Sequence, residues 1–345
     1  MQHEITAPLE LIDDNGHLVK EGWARKPYWR YDRNRIQAPW HRIKEWDYYA
    51  ILSHDKQYGI GLTIADLSYL SLCALCWLDF KNDVCVQYDS MGLLTRGKIG
   101  FPSSSESGDV AFRDAKIDMK YIVKDGARRI IISAPKFQLP DGSRDLSADI
   151  TLAQDPAMDT MVIATSWKEN RKAFYYNQKV NCMPAHGTVT IGSKSYFFSP
   201  KTDFGCLDWG RGYWTYRNRW YWGSASGLIK GVPFGWNIGY GFSDRSPASE
   251  NMLFYRGVAH KLQDVAFHID AKDYMKPWRF TSNDGRFELD FKPLMDRSSS
   301  LNLLVMKSIQ HQVFGLFNGQ VTLDDGTRLQ VENFLGFAED VLNWW

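Results

Sequence analysis

The stretch LDWGRGYWTYRNRWYWGSASG, residues 207–227, sets a single carboxylate, Asp208, among seven aromatic rings and three arginines. A carboxylate beside Trp209, Tyr213, Trp214 and Tyr216 is expected to be partly desolvated, which disfavours its charged form and raises its pKa. An acid tuned this way can protonate an alkene or a glycosidic oxygen, with a tyrosine such as Tyr213 assisting. Arg211 argues the other way. Read on the same face of an extended segment, its guanidinium would pull the pKa down and hold Asp208 in a salt bridge that only locks a turn. Both readings stay open at this point.

The end of the same stretch reads as a strand. Trp220, Trp222, Ser224 and Ser226 fall on one face, a stacking wall followed by small hydroxyls. Such a wall suits a polyene, a flat aromatic ligand or a sugar ring, and it equally fills a tapering barrel. Trp209, Arg211, Tyr216, Trp220, Trp222 and His260 are therefore the candidate ligand-binding residues. Glu250, beside Asn251, is the candidate second carboxylate of an acid pair with Asp208, as glycoside cleavage needs. The alternative is a carboxylate that bonds backbone amides at a strand entrance. Gly223-Ser224-Ala225-Ser226-Gly227 is not a nucleophile elbow, since its central residue is Ala225. No histidine pattern points to a metal, and no glycine-rich loop has the spacing of a phosphate cradle. The sequence calls for no cofactor.

Composition bounds the partners. Of 345 residues, 41 are basic and 40 acidic, a formal charge of +1. That balance argues against a nucleic-acid partner. Arg25, Arg30, Arg33 and Arg35, interleaved with Trp23, Tyr28, Trp29 and Tyr31, read better as a cation–π strap than as a single-strand binding platform. Cys73 and Cys76 form a C-x-x-C inside an apolar run with no second ligand pair, so the five cysteines are expected to be free thiols. The polar N-terminus has no signal-peptide pattern, and no apolar run is long enough to span a bilayer. A cytoplasmic setting is the expectation.

The elements that must position these residues are strands. Asp125-Gly126, Asp284-Gly285 and Asp325-Gly326 each separate two strand-like runs, and Gly192-Ser193 does the same. In RFELDF, Phe287, Leu289 and Phe291 share one face while Glu288 and Asp290 share the other. Repeated hairpins with this alternation predict an all-β chain of antiparallel barrels. A division near Ser199 gives two domains, 1–199 and 200–345. The C-terminal FAEDVLNWW is expected to be a short helix.

Several phrases together resemble a bacterial family of unknown function, DUF2804: KEWDYYAI at Lys44, TIADLSYLSL at Thr63, the Leu207 stretch, SENMLFYRGVAHKLQDVAFHI at Ser249, and FGLFNGQVTLDDGTRLQVENFLGFAEDV near the end. That family is distantly similar to calycin-like double-barrel proteins, among them carotenoid 1,2-hydratases, AttH proteins and lipocalin-like Diels–Alderases. The likeness rests on an Asp…Trp-Gly signature, here Asp208-Trp209-Gly210, without the histidine the relatives usually place between. The resemblance implies two lipocalin-like barrels with a ligand site in or between them. It points to a hydrophobic or aromatic small molecule, bound by a cofactor-free hydratase, isomerase or cyclase using Asp208. Non-catalytic binding of a lipid-like ligand, or carbohydrate processing by Asp208 and Glu250, are the alternatives.

Overall fold

The computed structural model describes residues 2–303 and 306–345. Among them the regular structure is nearly all strand. Two antiparallel sheets of thirteen and nine strands each curl into a half-barrel, the double-barrel all-β fold. The centre of the first sheet runs Tyr58–Asp66, Ile43–Ser53, Phe204–Tyr213, Phe174–Ile191 and Arg144–Ala153 in spatial order. The centre of the second runs Val232–Tyr240, Arg217–Ile229, Arg328–Trp344, Met306–Thr322 and Phe287–Leu303. The hairpins fall where Asp-Gly placed them. Lys124 pairs with Ala127 across Asp125 (φ 53°) and Gly126 (φ 71°), the two positive φ angles a tight hairpin turn demands.

Two expectations meet different facts. The C-terminal segment is not a helix: Arg328–Trp344 is a long strand, paired on one side with Arg217–Ile229 and on the other with Met306–Thr322. From Gly336 to Trp344 both edges are paired, and this tertiary context overrides the weak helical character of FAEDVL. The change of sheet also comes later than Ser199. Phe204–Tyr213 belongs to the first sheet, and the chain enters the second between Tyr213 and Arg217.

Burial shows where the barrels meet. Ala127–Gln138 alternates buried and outward-facing residues, as a barrel wall facing water should. In Ile43–Ser53 every residue but Trp46 is buried, and in Phe204–Tyr213 every residue but Tyr213. Phe334–Val341 is buried throughout. A strand buried on both faces needs a second layer over its outer face. Here each barrel covers the other. Tyr48, Ala50, Leu52 and Cys206 of the first barrel pack on Trp222, Phe314, Leu335 and Phe337 of the second. Each large apolar side chain removed from water there stabilises the junction by about 1.5–3 kcal/mol. No helix among the described residues is long and apolar enough to cross a membrane.

Candidate functional site

Residues an odd number apart in a strand point to opposite faces, and this separates Asp208 from Arg211. The expected Asp208–Arg211 salt bridge is absent. Arg211 turns into the first barrel, fully buried, and its Nη1 donates to Asp47 Oδ1 at 2.9 Å and to the Trp46 carbonyl at 2.8 Å. Its guanidinium lies 3.9 Å from the centre of the Trp209 ring and 4.6 Å from that of Phe101. Trp209 is thus also interior to the first barrel. Tyr213 accepts a hydrogen bond from Asn170 Nδ2 at 3.0 Å, and Tyr216 lies under the Arg42 guanidinium. His260 sits on an edge strand of the second sheet, 3.5 Å from Asp324, with burial lowering its pKa. These five belong to other surroundings.

Asp208, Glu250, Trp220 and Trp222 do come together, in the seam between the barrels rather than at a barrel mouth. Asp208 is in register with Lys179 on one neighbouring strand and Tyr48 on the other. Lys179 Nζ lies 2.9 Å from its Oδ2, and Asn177 Nδ2 donates to its Oδ1 at 2.6 Å. The Lys179 ammonium also sits 3.9 Å from the centre of the Trp222 ring, a cation–π contact across the seam. Glu250 is buried, and burial followed by the Asp208 charge raises its pKa against the pull of Lys179. Its Oε2 accepts the Tyr175 hydroxyl at 3.5 Å. Gly239 makes this placement possible, because a Cβ there would come within 2.0 Å of Glu250 Oε1.

A third carboxylate, Glu339, enters from the C-terminal strand. Trp220 Nε1 donates to its Oε1 at 2.9 Å and Gln312 Nε2 to its Oε2 at 3.3 Å. Burial pushes its pKa up to about 7; the Trp220 hydrogen bond and the Lys179 charge oppose the rise, and the Asp208 charge adds to it. Gln312 also bonds the Tyr48 hydroxyl. Asn177 Oδ1, beside Asp208, finds no partner among the described residues.

An aromatic plug closes the seam on one side. Trp214 touches Trp46, Tyr175, Trp220 and Phe242 at ring-centre distances of 5.3–5.9 Å. The crevice that reaches Glu250 and Tyr175 past Phe242 and Arg245 has a volume of about 10 Å³, room for about one water. A larger cleft of about 140 Å³ opens between His54, Thr202, Ser226 and Phe334, and none of the three carboxylates lines it. Asp208, beside which a ligand-sized hollow is expected, lines neither the crevice nor the cleft.

Residues 2–345 match the family DUF2804, a domain of unknown function. The chain belongs to that family. A search of curated proteins finds no match. Among solved structures, one from Nitrosomonas europaea described as AttH aligns with a TM-score of 0.55 at 13% identity, covering 92% of this chain and 98% of that one. CghA with Sch210972 aligns with a TM-score of 0.53 at 9% identity, covering 87% of each chain. Kievitone hydratase from Nectria haematococca aligns with a TM-score of 0.48 at 11% identity, covering 88% of each. These likenesses show a shared double-barrel fold.

In this DUF2804 chain the seam gathers three buried carboxylates: Lys179 pairs with Asp208, and the Asp208 charge raises the pKa of both Glu250 and Glu339. Such an arrangement can hold, donate and take back a proton. Lys179, Asn177 and Tyr175 were not singled out by sequence reasoning, although the period-2 run Tyr175, Asn177, Lys179 in FYYNQKVNC carries a usable signal. Glu339 was hidden by the helical reading of its segment. Among the described residues no group of three or more His, Cys, Asp or Glu could hold a metal ion.

Proposed function

We propose that this protein binds a hydrophobic or aromatic small molecule between its barrels and exchanges a proton with it, as a cofactor-free hydratase, isomerase or cyclase would. The observation that carries the reading is the cluster Asp208, Glu250 and Glu339, three buried carboxylates in which Lys179 pairs with Asp208 and the Asp208 charge raises the pKa of both glutamates. Burying an ionised carboxylate costs several kcal/mol after relaxation, and an all-apolar seam would join two barrels at lower cost. A protonated Glu339 is the donor in this scheme. Its proton goes to an unsaturated carbon, the face of Trp220 shields the resulting cation, and Glu250 takes a proton from an attacking water or from a neighbouring carbon. Asp208, both oxygens engaged by Lys179 and Asn177, supplies fixed charge and positioning. A guest enters by displacing the plug of Trp214 and Phe242. CghA, of the same fold, has been crystallised with Sch210972, which accords with a guest in this architecture.

One observation favours a second, non-catalytic reading: the Asp208 charge is paired with the Lys179 ammonium. Under it the same ligand class is bound and left unchanged. Sugar cleavage by Asp208 and Glu250 fits less well, because neither Asp208 oxygen is free to meet a substrate. The test is mass spectrometry of organic extracts from the purified chain, followed by incubation of the recovered compound with the parent and with Glu339→Gln. The proposal expects an unsaturated compound that the parent converts and Glu339→Gln retains unconverted. Retention without conversion by both supports the carrier reading, and recovery of a saccharide supports sugar processing.

A further inference from the structure

Cys76 and Cys85 sit on neighbouring strands, Leu70–Asp79 and Val84–Leu93, with their sulfurs 3.6 Å apart. Cys76 is in register with Gln87, and Cys85 lies two residues from Gln87, so the two thiols are diagonal neighbours on one face of the sheet. Cys76 is fully buried and Cys85 is exposed, which gives a reagent access to one sulfur while the other waits behind it. That face turns toward the second barrel. From there Arg297 reaches across, donating from Nε to Gln87 Oε1 and from Nη1 to Gln312 Oε1, each at 2.8 Å. Gly61, in register with Cys76, leaves room for it. A Cβ at that position would lie 3.3 Å from Arg297 Nη1, 3.5 Å from the Tyr48 hydroxyl and 3.8 Å from Cys76 Cβ.

We propose that Cys76 and Cys85 are a hydroperoxide-oxidisable dithiol at the rim of the seam, with Arg297 as its positioning residue. The Cys85 thiolate attacks one peroxide oxygen and the O–O bond breaks, giving Cys85 sulfenic acid and, after protonation, water. The Cys76 sulfur then attacks the Cys85 sulfur, expels the hydroxyl as a second water and forms the disulfide. Two thiols lose two electrons in all, and the peroxide gains them. The local charges favour Cys85 as the first nucleophile. The hydrogen bond from Cys76 and then the Arg297 guanidinium lower its pKa, against burial and the charges of Asp296 and Asp83, while the Cys76 thiol is held well above its usual range. Arg297 also holds Gln312, which bonds Glu339 and Tyr48, so the redox state of the pair is one side chain away from the carboxylate cluster.

The experiment uses the reduced full chain, dilute hydrogen peroxide, denaturing alkylation and peptide mass spectrometry; cleavage after Lys81 separates the two cysteines. Alkylatable thiols should fall from five to three, with a reductant-reversible Cys76–Cys85 cross-link. Cys85→Ser should lose none of its remaining four. Arg297→Gln should raise the pH at which oxidation becomes fast, and Arg297→Lys should restore it. Cys85 accumulating as sulfinic acid without the cross-link would overturn the pairing. An unchanged pH profile in Arg297→Gln would overturn the role given to the arginine.

Discussion

Replacing Glu339 with glutamine should stabilise the protein, and increasingly so as the pH rises. The Glu339 carboxyl has its pKa pushed from an ordinary 4.5 to about 7 by burial. The folded state therefore binds this proton more tightly than the unfolded chain. Its contribution to stability is fully present below about pH 4.5 and is lost as the pH rises through about 7. Across that window the loss amounts to about 3 kcal/mol, at about 1.4 kcal/mol per pKa unit. Glutamine stays neutral throughout, so the variant is spared this loss. Its own amide faces the Gln312 amide, which costs about 1 kcal/mol and leaves a net gain of about 2 kcal/mol at pH 8. Lys261 and Lys44, lowered by burial to about 7 and about 6, titrate nearby with the opposite sign, so only the difference between parent and variant is diagnostic. Urea unfolding followed by tryptophan fluorescence between about pH 5 and pH 8 measures it. A gap between the two proteins that does not change with pH would refute the reasoning.

Other perturbations probe the same arrangement. Lys179→Met strands Asp208 in the seam and should cost about 3–5 kcal/mol, most of it recovered in Lys179→Met/Asp208→Leu; a double-mutant cycle by chemical denaturation checks this. Gly239→Ala drives a Cβ into the Glu250 carboxylate and should cost about 1–3 kcal/mol, read as a lowered midpoint of thermal unfolding. Arg211→Met should destabilise the first barrel by leaving Asp47 buried without its cation, yet any compound extracted with the parent should still be extracted with the variant.

The fold was largely legible because its hairpins carry Asp-Gly turns and its water-facing strands alternate cleanly, as RFELDF does. Legibility fails at the seam. Between Phe334 and Val341 both faces of the strand are buried, so polar and apolar residues no longer mark inside and outside. That loss of period turned a central strand into an apparent helix and concealed Glu339. The placement of Arg211 was a matter of parity: three residues from Asp208, it had to face the other way. Lys179 and Asn177 sit on a polar face that, without knowledge of the second barrel, reads as solvent-exposed. Asp208, Trp220 and Trp222 stand out in the sequence because a carboxylate close to large rings is conspicuous in any register, and Glu250 because it is a carboxylate just ahead of an apolar strand.

The claim on which all of this depends is that the seam holds a carboxyl proton near neutral pH. Infrared difference spectroscopy of the folded protein across about pH 6 to 8 tests it directly. The account predicts a protonated-carboxyl band that fades around pH 7 in the parent and has no counterpart in Glu339→Gln. Carboxyl groups already fully ionised at about pH 6 in both proteins would contradict it.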